Sequence, residues 1–237
     1  MKETKLYKHL QTLKKNLEPM TWPQRIDHIW TYYKEMIFIT VVTLIILIGV
    51  GSAMLTPKKE LLMGGMFINT FFNSKAEAYL GDELLIQMNG NPDEQEIKLY
   101  AKTFTDPATS AQDGDVLTSI YAMMYAKQID YFFMNEVGLK SMISMQGLLD
   151  LREVFSAEEI EQFKDDLFYG QEQDDDGNLV GDPIPVAIKV SNVPFVKECE
   201  KYNNRDVYFS FAVNAPNKDS LRDLWDYILA WKTSKSS

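Results

Sequence analysis

Twenty consecutive residues without a charge, Met36 to Leu55 (MIFITVVTLIILIGVGSAML), constrain this chain more than any other feature. At about 1.5 Å rise per residue such a run covers roughly the 30 Å of a bilayer's hydrocarbon layer. The buried core helix of a soluble protein would show a polar stripe, and here only Thr40, Thr43 and Ser52 are polar. The run is therefore expected to be a transmembrane helix dividing the 237-residue chain into a tail, 1–35, and a domain, 56–237. Seven Lys/Arg against four acids in the tail leave seventeen against thirty in the domain, so the tail is basic and the domain strongly acidic. The excess of Lys and Arg, with Arg25 and Lys34 close to the span, places the N-terminus in the cytoplasm and the domain outside the cell membrane. Trp30, Tyr32 and Tyr33 suit the headgroup zone. Gly51-Ser52-Ala53 offers small residues to a signal peptidase, but the apolar run is longer than a usual signal core and the segment before it is long. No cysteine follows the run to carry a lipid, so an uncleaved signal anchor is expected.

In the tail, Leu6, Leu10, Leu13 and Leu17 fall on one helical face. They suit either a short helix partner or a surface helix lying on the membrane. After Pro19 a second helix is expected to start, with Thr21 as cap, Pro23 in its first turn, and Ile26, Ile29, Trp30 and Tyr33 on one face. It is read as an interfacial helix running into the span.

Beyond Pro57 strands and helices alternate, which predicts an α/β domain. Strands are expected at 61–70, Glu96–Phe104, 129–135 and Val207–Asn214, with the IDYFFMN run covered on both faces. A pair of strands within Asp165–Ser191 should join at the polar turn Asp174–Asn178, with Val186, Ile188 and Val190 alternating along the second. The helices are expected around Ala76, Tyr79, Leu80, Leu84 and Leu85, from about Asp115 to Gln128, from Ala157 behind the capping-box phrase Ser156-Ala-Glu-Glu159, and at the end through Leu221, Leu224, Trp225, Ile228 and Leu229.

The phrases IDYFFMNE, LKSMISMQGLLDLREVF and VYFSFAVNAPNKDSLRDLWDYIL resemble segments of extracellular solute-binding proteins with the type 2 periplasmic-binding fold. The layout of basic tail, YYK, one span and compact domain resembles membrane-anchored members of that class in Gram-positive bacteria. The resemblance covers about residues 60–230. It implies a reduced solute-binding fold, since about 180 residues are fewer than two full lobes require, with a spanning helix in place of the usual lipid-modified cysteine.

The residue inventory speaks against catalysis. Both histidines, His9 and His28, precede the domain, which removes imidazole-based triads and the commonest zinc ligands from it. Cys199 lies between Glu198 and Glu200, which disfavour its thiolate, and as the single cysteine it has no intramolecular disulfide partner. The acidic run Glu172–Leu179, closed by Gly177, imitates the first half of an EF-hand loop. The position that should supply a bidentate Glu is Pro183, with Asp182 as the one substitute, and a solvated hairpin turn accounts for the run. No enzyme, cofactor or metal is expected. The acidic domain repels phosphate backbones, so no nucleic acid is expected as a partner either.

If the domain has a cleft, strand ends should line it, as in open α/β sheets. Those positions are Asn69 and Thr70, Asn135 and Glu136, Ser191 and Asn192, and Asn214. Two functions remain. One is a membrane-anchored module binding a solute or protein beside a transporter or other membrane complex; the other is an accessory subunit that has lost ligand binding.

Overall fold

A computed structural model describes residues 14–15, 18–55, 59–105, 111–173, 178–202 and 206–231. The four tail leucines and the core of the acidic turn, 174–177, lie outside the described residues. The chain separates into two compact units, 1–57 and 58–237.

The first unit is dominated by one helix, α1 (Trp22–Leu55, 34 residues). Thr21 precedes it, and both its N–H and its hydroxyl donate to Gln24 Oε1 at 3.0 Å, half of a capping box. The helix expected to start after Pro19 and run into the span is the first part of α1. From Gln24 to Ile48 there is no Gly or Pro to break the backbone ladder, so 22–35 and 36–55 share one axis of about 51 Å. The helix is long and apolar enough to span a bilayer: within Trp22–Gly49 the most apolar 18-residue stretch has a mean hydropathy of 1.7, and none of that stretch is buried against protein. Thr40 and Thr43 donate their hydroxyls to the carbonyls of Met36 and Ile39, both at 2.8 Å, which satisfies them within the apolar run.

The second unit is an α/β domain around a six-stranded mixed sheet, in order β2-β1-β3-β6-β5-β4. The strands are β1 (Glu60–Ile68), β2 (Gln95–Lys102), β3 (Tyr131–Met134), β4 (Leu167–Gln173), β5 (Leu179–Lys189) and β6 (Tyr208–Phe211). β1 pairs in parallel with both β2 and β3; β6 lies antiparallel to β3 and β5, and β4 antiparallel to β5. The helices are α2 over 74–87, with a π-helical turn Tyr79–Glu83 between Ser74–Ala78 and Leu84–Gln87, then α3 (Ala111–Tyr125), α4 (Glu136–Ser144), α5 (Ala157–Gln162), α6 (Pro194–Cys199) and α7 (Leu221–Leu229). Among the described residues there is this one sheet and no second lobe.

All four residues of β3 are buried, as expected for a strand covered on both faces. Phe195 of α6 stacks on Phe72 and lies 5.9 Å from the ring of Phe133, whereas Gly138 of α4 backs onto Ile68 and Met134. Neighbouring strand residues point to opposite faces, so α4 and α6 cover the two sides. The five apolar residues expected on α2 are all buried, and the capping box before α5 is present.

Differences from expectation have local causes. β1 stops at Ile68 because Asn69 takes φ +55°, a left-handed conformation outside any strand. The helix expected at 115–128 starts four residues earlier and ends at Tyr125, as Lys127 (φ +55°) turns the chain toward β3, which is shortened to 131–134. The span expected as Glu96–Phe104 pairs only as far as Lys102, where Ile68, the last residue of β1, is its partner. The last strand ends at Phe211 and continues as a single bridge, Ala212 to Leu148.

Candidate functional site

Three strands with the same direction, β1, β3 and β5, deliver Asn69, Thr70, Asn135, Glu136, Ser191 and Asn192 to one edge of the sheet. At its centre the polar groups hold one another. Asn69 Oδ1 accepts from the Phe104 N–H at 2.9 Å, and Asn69 Nδ2 donates to Asn135 Oδ1 at 3.2 Å. The same Asn135 oxygen accepts from Gly138 N at 2.9 Å and so caps α4. Thr70 donates its hydroxyl to Phe133 O at 3.0 Å. Asn69 and Thr70 are buried, and this network fastens the ends of β1 and β3 together.

Further along that edge, Glu136 is exposed and pairs with Lys140, one turn on along α4, at 2.6 Å. Ser191 Oγ accepts from Val207 N at 2.9 Å, closing the step from β5 to β6, and Asn192 is exposed on the following turn. Asn214 is not part of this group. It follows β6 at the opposite edge, where its Nδ2 donates to Met124 O at 2.7 Å.

The opposite edge holds a buried carboxylate that sequence reasoning passed over inside an apolar run. Asp130 accepts from Gly64 N at 2.8 Å and from Asn217 N at 3.0 Å. Burial raises its pKa, and hydrogen bonds from Gly64 and Asn217 counter part of that rise. A lone acid directly before YFFM is the signal that could have found it. In the next residue, the fully buried Tyr131 hydroxyl has no hydrogen-bond partner among the described residues.

A second feature is the β4–β5 ribbon. β4 follows β5 along its length, from Leu167 opposite Ile188 to Gln173 opposite Leu179, but β5 meets β6 only through Ile188 and Lys189. Beyond the Phe168–Ala187 pair the described residues of the hairpin therefore have two strands only, and they carry Tyr169, Leu179 and Val180 at 51%, 61% and 38% exposure. At its base is a hollow of 260 Å³ floored by Ile143, Leu148, Gly170, Ile184 and Val186. A second hollow of 390 Å³ shares Ile143, Gly170 and Gln171 with the first and is walled by Leu179 and Pro183. Together they form an apolar groove between α4 and the ribbon. Its rim bears Asp150, which burial pushes up but hydrogen bonds from Arg152 bring below the ordinary carboxylate range. The sequence indicated the hairpin but not its projection, which depends on how few residues of β5 find a partner in β6.

Among the described residues no three His, Cys, Asp or Glu side chains gather as a metal-binding group. Cys199 is buried, and burial followed by the neighbouring Glu198 pushes its thiol up to about 11, far from a reactive thiolate at neutral pH. No family model, curated protein or solved structure matches the chain.

Proposed function

We propose that the chain is a membrane-anchored, non-enzymatic docking module: α1 holds it in the cell membrane with the N-terminus in the cytoplasm, and the outer domain engages a protein of the same membrane, such as a transporter or a complex subunit. The observation that carries this reading is the β4–β5 ribbon, whose exposed Tyr169 and Leu179 wall an apolar groove shared with α4. Isolated surface apolar residues are ordinary, but a contiguous patch rimmed by polar groups is the mark of an interaction surface.

The alternative, capture of a small solute by a reduced solute-binding fold, is less well supported. A solute needs free donors and acceptors at the strand ends, and Asn69, Thr70 and Asn135 are committed to one another and to the backbone. The described residues also supply no second lobe to close over a ligand.

Placing a photo-crosslinking residue at Tyr169 or Leu179 in the full chain, in its native membrane, tests the proposal. A discrete adduct from those positions, missing when the crosslinker replaces Tyr202, is expected. Equal labelling at all three positions, or none from the ribbon, would overturn it. Protease digestion of intact cells, with only the domain cleaved, checks the orientation.

A further inference from the structure

The two most exposed large apolar side chains described in the domain are Tyr125 (81%) and Ile86 (64%), and they belong to one edge of it. Tyr125 ends α3, five residues before Asp130, whose carboxylate and N–H both bond to Gly64 near the start of β1. Ile86 lies in the last turn of α2, whose end is fastened by Gly90 N donating to Leu85 O at 2.8 Å, with Gly90 against the Leu62 side chain. Tyr121 (55%) precedes Tyr125 by one turn and shares its helical face. The chain enters the domain at this edge: Glu60 N donates to Glu94 O at 2.8 Å, and Lys59 Nζ donates to Pro92 O at 2.5 Å.

Covalent connectivity says what lies near such an edge. The apolar helix ends at Leu55 and β1 begins at Glu60. Five residue steps reach at most about 18 Å even when fully extended. The headgroup layer on each side of the hydrocarbon occupies roughly 5–8 Å of that distance. Tyrosine, with an apolar ring and a polar tip, is the residue type enriched at that level of a membrane.

We propose that the edge where β1 begins is a lipid-contact surface, with Tyr125 and Ile86 seated in the headgroup zone of the bilayer that α1 crosses. This inference rests on the spanning role of α1. The domain carries thirty acidic against seventeen basic residues, so attraction to anionic lipid does not drive the contact. Apolar and aromatic burial does, and the seating is therefore the same in neutral and in anionic bilayers.

The test uses the full chain reconstituted in vesicles of phosphatidylcholine alone and of phosphatidylcholine with phosphatidylglycerol. A nitroxide is attached at Tyr125→Cys, Ile86→Cys or, on the opposite edge, Tyr202→Cys; buried Cys199 remains unlabelled in the folded chain. Labels at 125 and 86 are expected to lose access to a water-soluble nickel complex and to collide with membrane-dissolved oxygen in both vesicle types, while the label at 202 stays open to nickel. A chain that resists alkaline extraction but leaves 125 and 86 as nickel-accessible as 202 overturns this inference alone, as does protection only in anionic vesicles. A chain released by alkaline extraction overturns the anchoring as well.

Discussion

Asp130 and Asn217 close the sheet at the edge where β1 begins. The Asn217 N–H donates to Asp130 Oδ1 at 3.0 Å, and its Nδ2 donates to Leu62 O at 2.6 Å and to the same carboxylate oxygen at 3.2 Å. One asparagine thus joins β1, β3 and the approach to α7. Asn217→Ala removes a donor from a buried carboxylate and from a backbone carbonyl, and should lower stability by about 1–3 kcal/mol in denaturant unfolding. The pH dependence follows from the raised pKa of Asp130. Between its unfolded value near 3.8 and its higher folded value, the folded state binds more protons than the unfolded one. Its contribution to stability is therefore full below the unfolded value and falls as pH rises through the folded one. The stability difference between the natural chain and Asp130→Asn should accordingly be largest at acid pH and shrink toward neutrality. A difference growing with pH would contradict this.

Glycine substitutions should separate close approach from simple backbone freedom. A Cβ on Gly64 would lie 1.8 Å from the Gln128 carbonyl oxygen, so the strand and the turn before β3 can meet only without a side chain there. Gly64→Ala should cost at least about 3 kcal/mol or prevent folding, through forced backbone displacement. Gly81, inside the π-helical turn, has nothing within 4 Å of where an added methyl would sit. Gly81→Ala should be neutral or stabilise by up to about 1 kcal/mol, by restricting the unfolded chain. Thermal unfolding of the two variants side by side checks the contrast.

The elements that sequence periodicity indicates are those whose burial is decided locally. IDYFFMN cannot be anything but interior, Ser156–Glu159 signals a helix start through two short-range bonds, and Leu221, Leu224, Trp225 and Ile228 form a buried stripe on α7. Boundaries are less legible because Asn69 and Lys127 end their elements by adopting positive φ, which their side chains permit but do not announce. The strand-end asparagines can be located from position along the chain, yet what they bond to depends on residues far away in sequence: Phe104 for Asn69, Met124 for Asn214. The ribbon's projection and the edge shared by Tyr125 and Ile86 depend on pairing order, which no local pattern encodes.

Cys199 provides a probe of that interior. Its thiol is fully buried, and burial with Glu198 nearby pushes its pKa up to about 11. A neutral aromatic disulfide reagent at pH 8 should leave it unmodified in the folded chain and react at the rate of a free cysteine once denaturant is added. Fast reaction without denaturant would mean that α6 opens readily from the sheet.

Tyr79 and Tyr227 exchange hydrogen bonds across the packing of α2 on α7. Tyr79 donates its hydroxyl to Tyr227 O at 2.5 Å, and Tyr227 donates back to Tyr79 O at 3.2 Å, with ring centroids 4.1 Å apart. Tyr79 opens the π-helical turn. The Tyr79 carbonyl accepts the i→i+5 bond from Leu84 N, and the hydroxyl from the neighbouring helix is its second donor. Burial raises the pKa of both phenols, so both remain donors at neutral pH. Each single change, Tyr79→Phe or Tyr227→Phe, should cost about 1 kcal/mol, and the double change should cost less than the sum, because the stacked rings and both bonds form one unit. Unfolding of the full chain in detergent for all four members of the cycle measures this coupling. Strict additivity would mean that the two bonds act independently and that the π-helical turn does not rely on α7.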